Sequence, residues 1–166
     1  MLNMATARKR AIIIVILVAV FAALYARYSH AGLYRVIEVY DGDTIAVDMN
    51  GSKEIIRLIG IDTPETKDPR KLVQCYGPEA SEYTHRILNN VKVRLVADPL
   101  STNRDRYDRL LRYLYLQNGS FYNKKLLLAG YARAYTGFPF SKSNDFTIAE
   151  QAAKDSNTGL WSSCAN

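Results

Sequence analysis

Histidine is nearly missing from this 166-residue chain, which has His30 and His85 and no others. His30 lies at the end of an N-terminal apolar segment. His85 falls near the end of a predicted helix, where a solvated side chain complements the helix dipole. With no usable histidine, imidazole chemistry drops out: histidine-base hydrolysis, phosphohistidine intermediates, zinc sites and serine triads. Only a carboxylate, or water on a metal ion, is left to activate an attacking oxygen.

Cysteine is almost as scarce, with only Cys75 and Cys164. Internal repeats and low-complexity tracts are absent, which excludes solenoids and disordered tails. The 48% hydrophobic and 23% charged fractions are those of an ordinary globular domain. The one long apolar run, Ala11 to Ala26, follows the cations Arg8-Lys9-Arg10 and is closed by Arg27. Ser29-His30-Ala31 then offers small residues three and one positions before Gly32. Residues 1–31 therefore read as a signal peptide or an N-terminal membrane anchor, and residues 32–166 as one domain outside the cytosol. The run is a little short for a spanning helix, so both readings stand. This segment holds four cations and no acid, so the formal charge of +6 falls to +2 for the remainder. The pI of 9.3 is thus weak evidence for nucleic-acid binding, and any basic footprint must be local. In an oxidising compartment, an even cysteine count predicts a Cys75–Cys164 disulfide; the alternative is two buried free thiols.

Leu33–Tyr40 is β-branched and aromatic, a first strand. After the turn at Asp41-Gly42-Asp43, Thr44–Met49 alternates cleanly as a second. Asn50-Gly51 is a strong hairpin signal, and Glu54–Ile61 is the partner strand. Pro78 opens a helix carrying Ala80, Tyr83, Thr84, Ile87 and Leu88 at helical spacing. Val91–Leu95 and Arg109–Leu116 are strands four and five, separated by a polar loop over residues 98–106. Phe121–Ala129 reads as a short helix ending at Gly130. A last helix carries Phe146, Ile148, Ala149, Ala152 and Ala153, with Asp145 as its cap and Gly159 just past its end. The class is α+β: a five-stranded barrel in the order of the oligonucleotide/oligosaccharide-binding (OB) fold, with about three helices and a hydrophobic export helix in front.

The chemistry gathers around Arg57-Leu58-Ile59-Gly60-Ile61-Asp62-Thr63-Pro64-Glu65. An arginine inside an apolar strand is costly unless an anion meets it. One reading is a structural ion pair between Arg57 and Asp62 or Glu65. The other is a site. Three acidic pairs could meet at one end of such a barrel: Asp41 with Asp43, Asp62 with Glu65, and Asp105 with Asp108. Oxygen ligands without histidine or thiol suit calcium or a similar hard cation. Arg57 and Arg109 add two guanidinium forks suited to a phosphate.

The blocks Asp41-Gly42-Asp43-Thr44, Arg57 to Glu65, Tyr76-Gly77-Pro78-Glu79-Ala80-Ser81, Asp105-Arg106-Tyr107-Asp108-Arg109 and Gly159-Leu160-Trp161 occur in series. Together they resemble the staphylococcal nuclease (thermonuclease) family from about Leu33 to Trp161. The resemblance implies a calcium-dependent endonuclease acting on DNA and RNA with little sequence specificity and leaving 3′-phosphates. By position, Asp43, Asp62 and the Thr63 carbonyl would hold Ca2+. Glu65 would orient or deprotonate the attacking water, and Arg57 and Arg109 would clamp the scissile phosphate. Lys71, Tyr107 and Tyr135 would contact substrate, and the protein would act as a monomer. Where the family usually has glycine before the second arginine, this chain has Asp108, an added negative charge beside Arg109. A non-catalytic nucleic-acid-binding module of the same fold is the competing expectation, and a calcium-stabilised structural domain a more remote one. Retention of both arginines and all three carboxylates favours the enzyme, since binding alone does not need them.

Overall fold

The computed structural model describes residue 10 and residues 12–21, 32–66 and 72–164. The chain divides into two units, 1–33 and 34–166. In the first, residues 10 and 12–21 are helical, with exposed apolar side chains from Ile12 to Phe21. No helix among the described residues is long and apolar enough to cross a membrane. The rest of the expected export segment lies outside the described residues.

In chain order the elements are β1 (Leu33–Val39), β2 (Thr44–Met49), β3 (Ser52–Leu58), β4 (Ile61–Asp62), α1 (Gly77–Leu88), β5 (Lys92–Val96) and β6 (Leu110–Leu116). They continue with α2 (Tyr122–Leu128), β7 (Arg133–Ala134), α3 (Ser143–Asp155) and α4 (Leu160–Ser163). Five strands close a barrel in the order β1-β2-β3-β6-β5, with β3 and β6 parallel, as the OB order predicts. Val36 N–H donates to Val91 O at 2.9 Å on the closing side. The β2–β3 hairpin turns on Asn50 (φ 57°) and Gly51 (φ 87°), both left-handed, which is why Asn-Gly stands there. Val36, Ile45, Val47, Ile56, Val93 and Leu114 fill the barrel, and Tyr122, Leu126 and Phe146 join them from α2 and α3.

The third strand departs from expectation. It does not run unbroken to Ile61 but stops at Leu58, and β4 leaves to pair with β7 in a separate two-stranded sheet. Gly60 makes the break at φ 72°, with Phe140 and Phe146 so close that a Cβ would meet them at 2.6 and 2.9 Å. Leu58, Ile59 and Ile61 are all buried, so no change of polarity marked the corner. Asp145 also differs: it lies in the first turn of α3, and Lys142 occupies the N-cap without a side-chain bond. Gly159 precedes a further short helix, α4, instead of ending the chain's last one.

One buried carboxylate ties the loop before β6 to the segment before α3. Asp98, 5% exposed, accepts from Tyr113 Oη (2.7 Å), from Leu100 N–H (2.8 Å) and from both the N–H and the hydroxyl of Ser141. Burial alone would raise its carboxyl, but these donors outweigh it and hold it down at about 2. A folded pKa below the unfolded value gives stability that is present above pH 4 and lost as pH falls through about 2. Asp98→Asn is therefore expected to lower stability by about 2 kcal/mol at pH 7, with the difference shrinking towards pH 2. Urea unfolding at both pH values checks this; a gap that does not depend on pH would remove the charge from the account.

Cys75 and Cys164 are joined, 89 residues apart in sequence, tying the segment before α1 to the end of α4. Reduction is expected to cost roughly 2–4 kcal/mol by freeing the unfolded chain. Urea midpoints with and without a dithiol reductant measure it, and coincident curves would refute it.

Candidate active site

The turn between β1 and β2 is built by its own acids. Asp41 Oδ1 accepts the N–H groups of Asp43 (3.1 Å) and Thr44 (2.7 Å), an arrangement that turns Asp43 inward. Asp43 is 5% exposed and fully engaged. Its Oδ1 accepts the Thr44 hydroxyl at 2.9 Å, and its Oδ2 accepts Thr63 N–H at 2.9 Å and lies 3.1 Å from Arg57 Nη2. Arg57 spans the break in the third strand. Nη1 donates to the carbonyls of Leu58 (2.8 Å) and Ile61 (2.6 Å), and Nη2 donates to Asp62 Oδ1 at 3.0 Å. Asp43, Arg57, Asp62 and Thr63 thus form one contact network. The expected structural ion pair is present with Asp62, and the buried Asp43 is a second carboxylate on the same nitrogen.

Arg109 comes from the other side. It precedes β6 by one residue, and β6 pairs in parallel with β3, Arg57 opposite Leu111. Asp105 holds Arg109 in a fork: Oδ2 accepts from Nε and Nη2, both at 2.7 Å, while Oδ1 accepts Arg109 N–H at 3.0 Å. Burial opposes the charge on Asp105, but these bonds dominate and its carboxyl is lowered. The ring of Tyr107 lies 5.3 Å from the Arg109 guanidinium and 4.7 Å from that of Arg106, with 63% of the residue exposed. Glu65 follows the buried Pro64 at the exit of β4, and its Oε1 accepts Thr66 N–H at 2.9 Å.

A family profile described as "Staphylococcal nuclease homologue" matches residues 55–163. The chain is 45% identical over 130 residues to the thermonuclease of Staphylococcus hyicus, covering 78% of this chain and 75% of that protein. It belongs to the staphylococcal nuclease family. The thermonuclease of Staphylococcus intermedius is 44% identical over 122 residues, 74% of this chain and 70% of its own. Endonuclease YncB of Bacillus subtilis (strain 168) is 43% identical over 124 residues, 74% of this chain but 58% of the relative.

One position that departs from the family pattern named above is Asp108. The residue standing for glycine, Asp108, keeps the left-handed backbone at φ 63°. Its charge does not fall on Arg109. Its carboxylate lies 3.5 Å from Arg104 Nε, and its carbonyl accepts from Arg104 Nη1 at 2.6 Å, while Arg104 also binds Glu54 at 3.0 Å. Asp105 and Asp108 therefore serve the two arginines and do not converge with the other acids as a third cluster, which corrects the sequence reading. Among the described residues no three acidic, histidine or cysteine side chains form a metal-holding group. Tyr135, 46% exposed, donates its N–H to Gly60 O at 2.8 Å and so stands beside the strand break. Lys71 lies outside the described residues.

At the β1–β2 turn Asp41 resists ionising beside the buried Asp43. Burial first, then the neighbouring Asp43 carboxylate, push Asp41 up to about 7 against the pull of the Asp43 and Thr44 N–H groups and of Arg57. A turn whose carboxylates resist ionising together is one that a hard cation would relieve. Asp43 and Asp62 are oxygen donors within one network, which Thr63 N–H joins, and carboxylate oxygens of this kind fit a hard cation such as calcium.

Proposed function

We infer that this family member is a nuclease hydrolysing phosphodiester bonds of DNA and RNA, with calcium as its cofactor. The observation that carries the reading is Arg57 held between Asp43 and Asp62, with Arg109 one residue before β6, the strand that pairs in parallel with β3. Asp43, Asp62 and the Thr63 carbonyl would hold the ion. When bound, calcium supplies positive charge that offsets the phosphate's own and polarises its P–O bonds.

The chain's residues do the rest. Arg57 and Arg109 grip non-bridging oxygens and stabilise the charge that grows as phosphorus becomes pentacovalent. Glu65 takes the proton of the attacking water. The water oxygen bonds to phosphorus as the P–O5′ bond breaks, the 5′ oxygen takes up a proton from solvent, and the phosphate stays on the 3′ side. Tyr107 and Tyr135 offer exposed rings to bases, which suits a sequence-tolerant enzyme on single-stranded or frayed substrate, and Lys71 adds a phosphate contact. The protein works as a monomer outside the cytosol, exported by residues 1–31 or anchored there by residues 11–26.

The test is cleavage of single-stranded DNA by the purified chain with calcium and then with excess chelator. Cleavage is expected to fall to the uncatalysed background on chelation and to return with calcium. Intact DNA in calcium would remove the enzyme reading, and cleavage that survives chelation would remove the metal.

A further inference from the structure

Glu65 must be aimed as well as charged, because a carboxylate displaced by about 1 Å loses on the order of a hundredfold in rate. The peptide flanking it is held from both sides by one residue, Gln74. Glu65 N–H donates to Gln74 Oε1 at 2.9 Å, and Gln74 N–H donates to Glu65 O at 2.9 Å. Gln74 is itself fixed from behind. Its carbonyl accepts the N–H of Gly77 at 3.0 Å, at the start of α1. Gly77 passes so close to the Pro64–Thr66 segment that a Cβ there would lie 2.7 Å from the Thr66 side chain at Cγ2 and 3.1 Å from Glu65 O. The residue directly after Gln74 is Cys75, an exposed half of the disulfide to Cys164.

We propose that Gln74 is a positioning residue for Glu65 and that the Cys75–Cys164 disulfide keeps Gln74 in place, so that turnover depends on the disulfide being closed. The proposal rests on the nuclease reading for its effect on rate, though the geometry it asserts does not. The bond ties residue 75 to the tail beyond α4, and therefore limits how far residue 74 can withdraw from Glu65. A dithiol reductant opens it by exchange: two electrons pass to the Cys75–Cys164 bond, two thiols form, and the reductant closes into its own cyclic disulfide. What is lost is the tether, while the barrel core, which neither cysteine enters, stays packed. Gln74 carried no signal in the sequence; it reads as a polar residue in a loop.

The experiment compares the full chain, Gln74→Leu and Gln74→Glu, each oxidised and reduced, on a single-stranded oligonucleotide in calcium. Circular dichroism establishes that each is folded at the assay temperature. Gln74→Leu removes the acceptor and is expected to lower kcat at least about tenfold with KM within about twofold. Gln74→Glu restores the acceptor and most of the rate. Reduction lowers kcat of the parent to a similar degree but adds little in Gln74→Leu, since the two changes act through one contact. A parent-like kcat in Gln74→Leu, or equal effects of reduction in both proteins, would overturn the proposal. Hydrogen exchange at the Glu65 amide decides it without catalysis: protection should be lost in Gln74→Leu and on reduction. A parent that cleaves nothing would sink the nuclease reading, and unchanged Glu65 protection would sink this one.

Discussion

Glu65→Gln is expected to lower kcat on single-stranded DNA by about a thousandfold, with substrate affinity in calcium changed only a few-fold. The substitution keeps size and shape, so its effect isolates the proton acceptor. The contacts that hold the residue survive it. The Thr66 N–H that Oε1 accepts can be taken by an amide oxygen, and the Glu65 backbone still pairs with Gln74. A carboxamide cannot take a proton at neutral pH, which in the proposed mechanism leaves only the charge stabilisation from Arg57, Arg109 and calcium. That residual explains why the loss is not complete. Rapid-quench kinetics and fluorescence titration separate the two quantities; a variant with comparable kcat would take Glu65 out of the mechanism. An equal loss in affinity would point to a role in binding metal or substrate.

The barrel strands were legible from clean alternation or from β-branched and aromatic runs bounded by turns, whereas the two-residue β7 (Arg133–Ala134) was not read. β2 was read to the residue, and the hairpin at Asn50-Gly51 followed from a dipeptide that tolerates left-handed backbone. The corner at Gly60 was not legible. Both of its flanks are buried, so the apolar run looked continuous, and only the packing of Phe140 and Phe146 against the bare glycine shows why the chain bends there. The acids show the same limit. Sequence spacing grouped Asp105 and Asp108 with the other two acidic pairs, whereas in space one serves Arg109 and the other Arg104. Charge type is written in the sequence, but the choice of partner depends on a loop conformation set by Asp105 accepting the N–H groups of Tyr107 and Arg109. Asp98 is a further case: read as part of a polar loop, it is buried and satisfied by donors from residues 100, 113 and 141.

Arg57 is where fold and proposed catalysis meet, and its replacement is expected to damage both. Arg57→Ala should lose about a thousandfold in kcat, as removal of a preorganised donor to developing charge does. It should also lose roughly 3–5 kcal/mol of stability, because the buried Asp43 is left beside Asp41 with no cation among them. Arg57→Lys does not rescue either property. An ammonium is a single point, whereas the guanidinium bonds Leu58 O and Ile61 O through one nitrogen and two carboxylates through the other. Arg109→Ala provides the contrast. Its partner is the fork from Asp105, both side chains partly exposed at 26% and 18%, in a loop outside the barrel core. The same loss of rate should come there with no more than about 1 kcal/mol of stability. Calcium separates the two again: saturating ion should recover part of the stability lost in Arg57→Ala, by neutralising the acids the arginine left behind, and none of its rate. Urea unfolding with and without calcium, beside single-turnover cleavage, measures all four quantities. Arg57→Ala that unfolds like the parent would mean that the carboxylates do not need the guanidinium, and that Arg57 is held in place for the substrate alone.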